Sequence, residues 1–542
     1  MSAFSALWWH AIRRDRVTLP LWILGTAALG AFAVAASEDT YGDEAEREQV
    51  LSLAIASRAI LVFRGTPNGA EFAPFVFFLI FTSLAVMAGL MSTFLAVRHT
   101  RADEERGRAE LLGATRAGRV LPAAVALVHG LVANVLLGAL TALGLLASGL
   151  PADGSLVAGL ALAAVGVAFL GIGLAAAELV ATSRGANTIG VVAVLAAYVL
   201  RGIGDAAGTP SEDLQHLAPA WPSFLSPIGY GQFTGAYAQN DLRPLLVPVA
   251  FAALLVAGAF VVRAFRDQGA SLLPDRQGRA TAGPVLSSSL GLVWRLSVST
   301  LVAWSAGALL TGLLASSLTA LIDQLTGTEG VPAVLEALRS ALGGTATIEQ
   351  AFVAVFFSIG GILASCCAVQ IGIRARQEES RGTAETVLAT PVGRVRWLAE
   401  YWLVGAIVIV VVLGAALLGG LLGAARSADA AALMPVVVQA AVAQLPAALV
   451  FLGVALLLVA WLPVAAVGLS WGLVGVLSVL GVFGPLLQAP EWVTGLSPFT
   501  HTPVAAGADT DWSGGFWLLG IALVAGVLAV ASMRRRELAP GD

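Results

Sequence analysis

The chain has 542 residues, 58% of them hydrophobic and 12% charged, with a mean hydropathy of +0.86 and a formal net charge of -4. Soluble domains carry about 25% charged residues, so this much apolar surface calls for lipid as its solvent rather than a water-soluble globule. All 30 basic residues are arginine; without lysine the chain itself supports neither a P-loop nucleotide site nor Schiff-base or pyridoxal chemistry.

At the start, Phe4, Leu7, Trp8, Ala11 and Ile12 recur at helical spacing, with His10, Arg13, Arg14 and Arg16 off that face. Residues 3–16 read as an amphipathic helix in the inner membrane interface. It serves as a membrane-entry anchor, or additionally as a lever toward a cytoplasmic partner. Twelve apolar runs follow, at roughly 17–37, 74–97, 120–149, 156–181, 187–203, 244–263, 298–318, 351–373, 399–424, 435–462, 464–487 and 515–533. A bilayer crossing needs about 20 such residues. The first run has arginines before it and a small-residue site at Val34-Ala35-Ala36, but it is long for a signal-peptide core and eleven more runs follow. It reads as a span. With both termini cytoplasmic, 23 arginines fall inside and 7 outside (Arg47, Arg58, Arg64, Arg201, Arg243, Arg339 and Arg426), against 14 acids inside and 20 outside. That is the asymmetry of the positive-inside rule.

The halves repeat each other. Residues 101–119, RADEERGRAELLGATRAGR, match residues 376–394, RQEESRGTAETVLATPVGR, at ten of nineteen positions with an offset of 275. Residues 218–227, APAWPSFLSP, match residues 489–498, APEWVTGLSP, at six of ten with an offset of 271. Trp22 and Gly25 are echoed by Trp304 and Gly307, and a weaker copy of the N-terminal helix stands at Leu290, Val293, Trp294 and Arg295. Six spans per half give both repeats one orientation. The fold expected is an all-α polytopic membrane protein of about 12 transmembrane helices in two parallel six-helix repeats, 1–265 and 290–542, joined by a polar cytoplasmic linker over 266–289.

The first matched segment lies between spans two and three of each half, on the cytoplasmic side. Arg106 with Glu110, and Arg381 with Glu385, are spaced to support a short helix, and Gly118 and Gly393 suit a helix end. A passive solvated loop has little reason to keep these residues twice, so the segment reads as a docking helix for a soluble partner. The second matched element lies outside, before the last span of each half. Its Pro and Trp residues suit an interfacial or re-entrant helix, or a rigid outer loop. Phe77, Phe78 and Phe81, with Phe356 and Phe357, either line an apolar path between the halves or simply pack. Glu178 in span four is an intramembrane ionisable group with Arg184 as its nearby partner, and His129 in span three is another.

The twice-repeated order of N-terminal helix, charged segment and Leu-Ser-Pro element resembles the membrane subunit of an ABC-2-type exporter. The likeness is to the fused twelve-span permeases of actinobacterial tetronasin-type polyketide-antibiotic and multidrug exporters. The resemblance implies two copies of a separate soluble ABC ATPase. They dock on coupling helices at Glu104, Arg106, Gly107, Glu110 and Arg119 in one half and Glu379, Arg381, Gly382, Glu385 and Arg394 in the other. It further implies an extracellular gate at Trp221, Ser226 and Pro227 and at Trp492, Ser497 and Pro498, with outward efflux of a hydrophobic or amphiphilic small molecule through a bacterial plasma membrane. ATP and Mg belong to the partner; this chain has no cofactor, catalytic residue or nucleic-acid partner of its own. Glu105 against Ser380, and Arg116 against Pro391, depart from symmetry and make the two docking sites unequal. The alternative is a proton-coupled secondary efflux transporter.

Enzyme and metal readings find little support. His10, His99, His129, His216 and His501 are scattered, and no HExxH or CxxC spacing occurs, so no metal site is expected. Cys366 and Cys367 are adjacent and point apart on a helix, which disfavours a disulfide between them. Gly468, Ser470 and Gly472 fit GxSxG, but a nucleophile elbow needs a strand and a turn, and small residues at a helix contact explain them better.

Overall fold

Long apolar runs in lipid have to satisfy their backbone groups internally, and helices do so. The computed structural model describes residues 2–56, 58–113, 118–274, 281–283, 286–325, 348–425, 430–483, 490–503 and 510–537. Eleven of the described helices are long and apolar enough to cross a membrane. The run expected at 464–487 forms a shorter apolar helix, Ala466–Gly481, within the described residues. The chain divides into two compact units, Met1–Gly278 and Arg279–Asp542.

In the first unit the N-terminal helix, Ala3–Asp15, is capped by Ser2, whose hydroxyl accepts from the Ser5 amide at 3.2 Å. The long helices Thr18–Thr40, Phe72–Arg98, Leu121–Ala147, Ala152–Leu179, Ser183–Ala206 and Leu246–Phe265 follow. Phe72–Arg98 and Ala152–Leu179 form the heart of this unit, with Val76, Phe77, Phe81 and Leu84 packed in one core with Leu162, Val165, Phe169 and Leu170. Leu121–Ala147 meets Ala152–Leu179 backbone to backbone: a Cβ at Gly138 or at Gly159 would lie 2.4 Å from the other's carbonyl oxygen. Small residues allow such approaches where lipid supplies no hydrophobic drive between helices. A two-stranded antiparallel ribbon, β1 (Thr209–Pro210) and β2 (Leu217–Ala218), pairs Thr209 with Ala218 and Pro210 with Leu217.

The second unit carries Ser289–Leu325, Ile348–Ser380, Arg394–Ala424, Ala430–Ala443, Leu445–Trp461, Ala466–Phe483 and Ser513–Ser532. Val404, Val408 and Val412 of Arg394–Ala424 share a core with Ala364, Ala368 and Ile371 and with Leu452, Leu456 and Val459. Apolar side chains such as Phe32, Val135, Phe516 and Trp517 stay largely exposed on helix faces, the inverse of a soluble protein's surface and suited to lipid.

One expectation is corrected and two gain detail. The weak second copy of the N-terminal helix is no separate element, because Leu290, Val293 and Trp294 are the first turns of the 37-residue helix Ser289–Leu325. The run expected at 435–462 is one crossing, Ala430–Trp461, interrupted at Gln444, where Pro446 cannot donate to the preceding turn. The start of the linker expected over 266–289 lies on the first unit: the amides of Leu272 and Leu273 donate to the carbonyls of Glu178 and Leu179 at 3.1 and 2.9 Å.

Candidate functional site

The charged segment after the second long helix of each unit is built the same way. In the first unit it is two short helices, Arg101–Glu105 and Arg108–Gly113, separated at Gly107 with φ 71°. In the second, Ile348–Ser380 runs into the segment and stops at Gly382, φ 74°, before Thr383–Leu388. A left-handed residue costs L-amino acids but not glycine, so these glycines set the break. Around them burial repeats at the same offset of 275. Glu104 and Glu379 are buried, Arg106 and Arg381 exposed, Ala109 and Ala384 buried, Glu110 and Glu385 exposed.

The break also removes the expected i,i+4 pairing. Among the described residues neither Arg106 with Glu110 nor Arg381 with Glu385 forms an ion pair, because each pair straddles a glycine at positive φ. Gly118 is left-handed in the turn before Leu121, whereas Gly393 is the extended N-cap of Arg394–Ala424 and so starts a helix rather than ending one. Arg119 and Arg394 are exposed. Arg116 lies outside the described residues, so its contrast with Pro391 has no structural counterpart.

Glu104 and Glu379 do not face outward, as docking residues would. Each is buried and tied to an arginine at the end of its unit's last long helix. Glu104 meets Arg263 at 2.8 Å and Arg266 at 2.9 Å, with Arg101 at 2.9 Å. Glu379 meets Arg536 at 2.6 Å and Arg376 at 3.5 Å. The reason lies in the local geometry: the residues three before Gly107 and Gly382 sit on the inward side of the turn.

Glu178 belongs to the first of these networks. Its oxygens accept from Arg263 at 2.7 Å and Arg266 at 2.8 Å, in place of the expected Arg184. Arg101 completes the shell by donating to the Ala177 carbonyl at 2.7 Å and the Ala270 carbonyl at 3.0 Å. Three arginines and two glutamates are thus buried together. Such a cluster is tolerable only because nearly every group has a partner. Glu178 has no acidic counterpart at the matching helix end of the second unit, where residues 457–461 are Leu, Leu, Val, Ala and Trp. There Arg536 donates to the Val459 carbonyl at 2.8 Å.

The Leu-Ser-Pro elements also share a local design. Ser226 caps the helix Pro227–Gln232 and accepts from the Ile228 amide at 3.2 Å; Ser497 caps the 3-10 turn Pro498–His501 and accepts from the Phe499 amide at 3.3 Å. Serine as cap with proline next suits a helix start, since proline has no N–H to leave unpaired. Trp221 and Trp492, 73% and 74% exposed, stand on the outside of the two elements. In the first unit the element is fastened by groups the sequence reading left out: Ser223 donates to Asp205 at 2.6 Å, and Asp205 pairs with Arg201 at 3.1 Å, both acid and base fully buried. Arg201, expected among the outer arginines, donates on to the carbonyls of Leu61 and Val62.

Phe77, Phe78, Phe81 and Phe357 are buried within their own units. Phe77 and Phe81 stack at 4.6 Å beside Tyr237, around a cavity of only about 10 Å³, room for about one water. Phe78 packs with Leu51, Ala54 and Phe75. Phe357 is buried against the core that holds Val412 and Val437, with Phe356 half-buried beside it. Ser470 sits inside the helix Ala466–Phe483, which excludes a nucleophile elbow there.

His129 is drawn into a cluster that residue spacing concealed. Its Nε2 and that of His99 lie 3.2 and 2.5 Å from one carboxylate oxygen of Asp15, the last residue of the N-terminal helix. Arg98 lies 3.1 Å from the other oxygen. Burial alone would raise the Asp15 carboxyl, but hydrogen bonds from His129 and His99 and the charge of Arg98 hold it well below the usual carboxylate range.

Two comparisons bear on the whole. Residues 286–534 match the family model described as the C-terminal domain of the multidrug efflux system permease Rv1217c. Over 540 residues the chain is 34% identical to the multidrug efflux system permease protein Rv1217c of Mycobacterium tuberculosis (strain ATCC 25618 / H37Rv), covering 97% of this chain and 94% of that one.

Proposed function

The chain belongs to the family of multidrug efflux system permeases, and from that premise we propose that it is the membrane subunit of an ATP-driven ABC-2-type exporter of hydrophobic or amphiphilic compounds. Two soluble ATPase copies dock on the exposed faces of the charged segments, through Arg106, Glu110 and Arg119 in one half and Arg381, Glu385 and Arg394 in the other. Glu104 and Glu379 act beneath those faces, fastening each segment to the end of its last long helix. Movement imposed on the segment is thereby passed into the helices. The halves are same-orientation repeats of six spans, with both termini cytoplasmic and the Leu-Ser-Pro elements forming the outer gate.

The observation that carries this reading is the pair of glycine-broken segments, alike in φ and burial, each with a buried glutamate tied to an arginine past its unit's last long helix. A loop that merely links two spans needs neither the exposed charges nor the buried anchor. Without lysine the chain has no P-loop of its own, so the ATPase is a separate polypeptide.

The test is reconstitution in liposomes with and without a candidate soluble ABC ATPase chain from the same organism. Drug-stimulated ATP hydrolysis and drug movement that both need the pair are expected. Replacing Arg106 and Glu110 together, or Arg381 and Glu385 together, with Ala removes the stimulation. Drug movement driven by a proton gradient in ATP-free vesicles would overturn the reading in favour of a secondary transporter.

A further inference from the structure

We propose that Asp15, His99 and His129 form a binding site for one late first-row divalent cation, with Zn2+ as its representative. The site pins the N-terminal helix to the two helices behind it. This proposal stands apart from the efflux mechanism and would hold for a transporter of either kind.

The three residues come from three elements. Asp15 ends the helix Ala3–Asp15, His99 caps the end of Phe72–Arg98, and His129 lies on Leu121–Ala147. All three are buried, at 3%, 7% and 4% exposure. Their ligand atoms lie within 4.8 Å of one another. The imidazole rings stand 5.2 Å apart at 76° and send both Nε2 atoms to the same Asp15 oxygen. Gathered this closely, the three donor atoms can all reach one ion with small shifts. Zinc takes nitrogen and carboxylate oxygen at about 2.0–2.2 Å, which puts neighbouring ligand atoms roughly 3.4 Å apart. The His129 contact already has that spacing, and the His99 contact needs to open by less than about 1 Å.

The surroundings fit as well. Two imidazoles and one carboxylate are a borderline donor set that selects zinc and its neighbours over magnesium or calcium. Arg98 holds the second Asp15 oxygen at 3.1 Å, fixing the carboxylate so that the first is presented, as outer groups commonly do around metals. A cavity of about 300 Å³, lined by Leu7, His10, Arg14, His99, Asp103 and Arg108, reaches the His99 ring. It opens an approach to the cluster from the His99 side.

The experiment uses the full-length chain in detergent, stripped with a chelator and titrated with Zn2+ against a chromophoric indicator, and separately with Co2+. One Zn2+ per chain is expected, with Co2+ giving the intense visible absorption of a tetrahedral centre. Asp15→Asn and His99→Asn keep hydrogen-bonding groups at these positions but remove a ligand, and each weakens Zn2+ binding by more than about tenfold. His216→Ala and His501→Ala leave it unchanged. Substoichiometric Zn2+ binding that survives both asparagine variants would overturn the proposal. So would a Co2+ spectrum of the unmutated chain without tetrahedral absorption, a result independent of how the variants fold.

Discussion

Gly107 and Gly382 show how a single residue type sets the shape of the charged segments. Both are left-handed, and a Cβ at either would meet nothing within 4 Å, so the need is conformational rather than steric. Gly107→Ala and Gly382→Ala should each destabilise by about 1–2 kcal/mol, read as a lowered unfolding temperature in detergent. An unchanged temperature would mean the turn relaxes at no cost. Glu178 is the other decisive residue. Glu178→Ala strips Arg263 and Arg266 of one of their two acidic partners inside a buried cluster, and a loss of about 3–5 kcal/mol is expected. A double-mutant cycle with Arg266→Ala should show strong coupling, since the two share one network. Additive losses would show that the cluster is not the source.

At the scale of elements, the Leu-Ser-Pro turns draw their stiffness from caps and buried anchors rather than from length. Ser226→Ala removes the cap on a six-residue helix and should cost about 1 kcal/mol, with faster amide exchange confined to Pro227–Gln232. Exchange that stays slow there would place the stiffness wholly in the Arg201, Asp205 and Ser223 network. Element boundaries also mark where sequence patterns fall short. Apolar runs located the helices, yet the stop at Gln444 and the fusion of the weak second elbow into Ser289–Leu325 turned on local backbone continuity, which hydropathy does not encode.

Across the whole molecule, the exposed faces proposed for docking and the buried anchors beneath them separate into two kinds of variant. Arg106→Ala with Glu110→Ala alters exposed side chains that have no ion pair among the described residues, so stability should change by no more than about 0.5 kcal/mol while ATPase stimulation is lost. Loss of both together would reassign these residues to the fold. The two units are also anchored differently: Glu178 serves the first, and a backbone carbonyl at Val459 stands in for it in the second. This unlikeness sits deeper than the surface differences at Glu105 and Ser380.

The sequence by itself determined the lipid-facing helical character, the positions of the long helices, the matched charged segments and the absence of a P-loop lysine. Each of these depends on composition, local periodicity or a residue's identity, and such properties are written along the chain. Only the tertiary structure decided which charges face inward. Glu178 meets Arg263 and Arg266 across 85 and 88 residues, and Asp15 meets His99 and His129 across 84 and 114. Pairing over such distances follows from how helices pack, because a buried charge takes whichever opposite charge the packing delivers. For the same reason Glu104 and Glu379 looked like surface residues in a polar segment until the fold set them against the arginines at the ends of their last long helices.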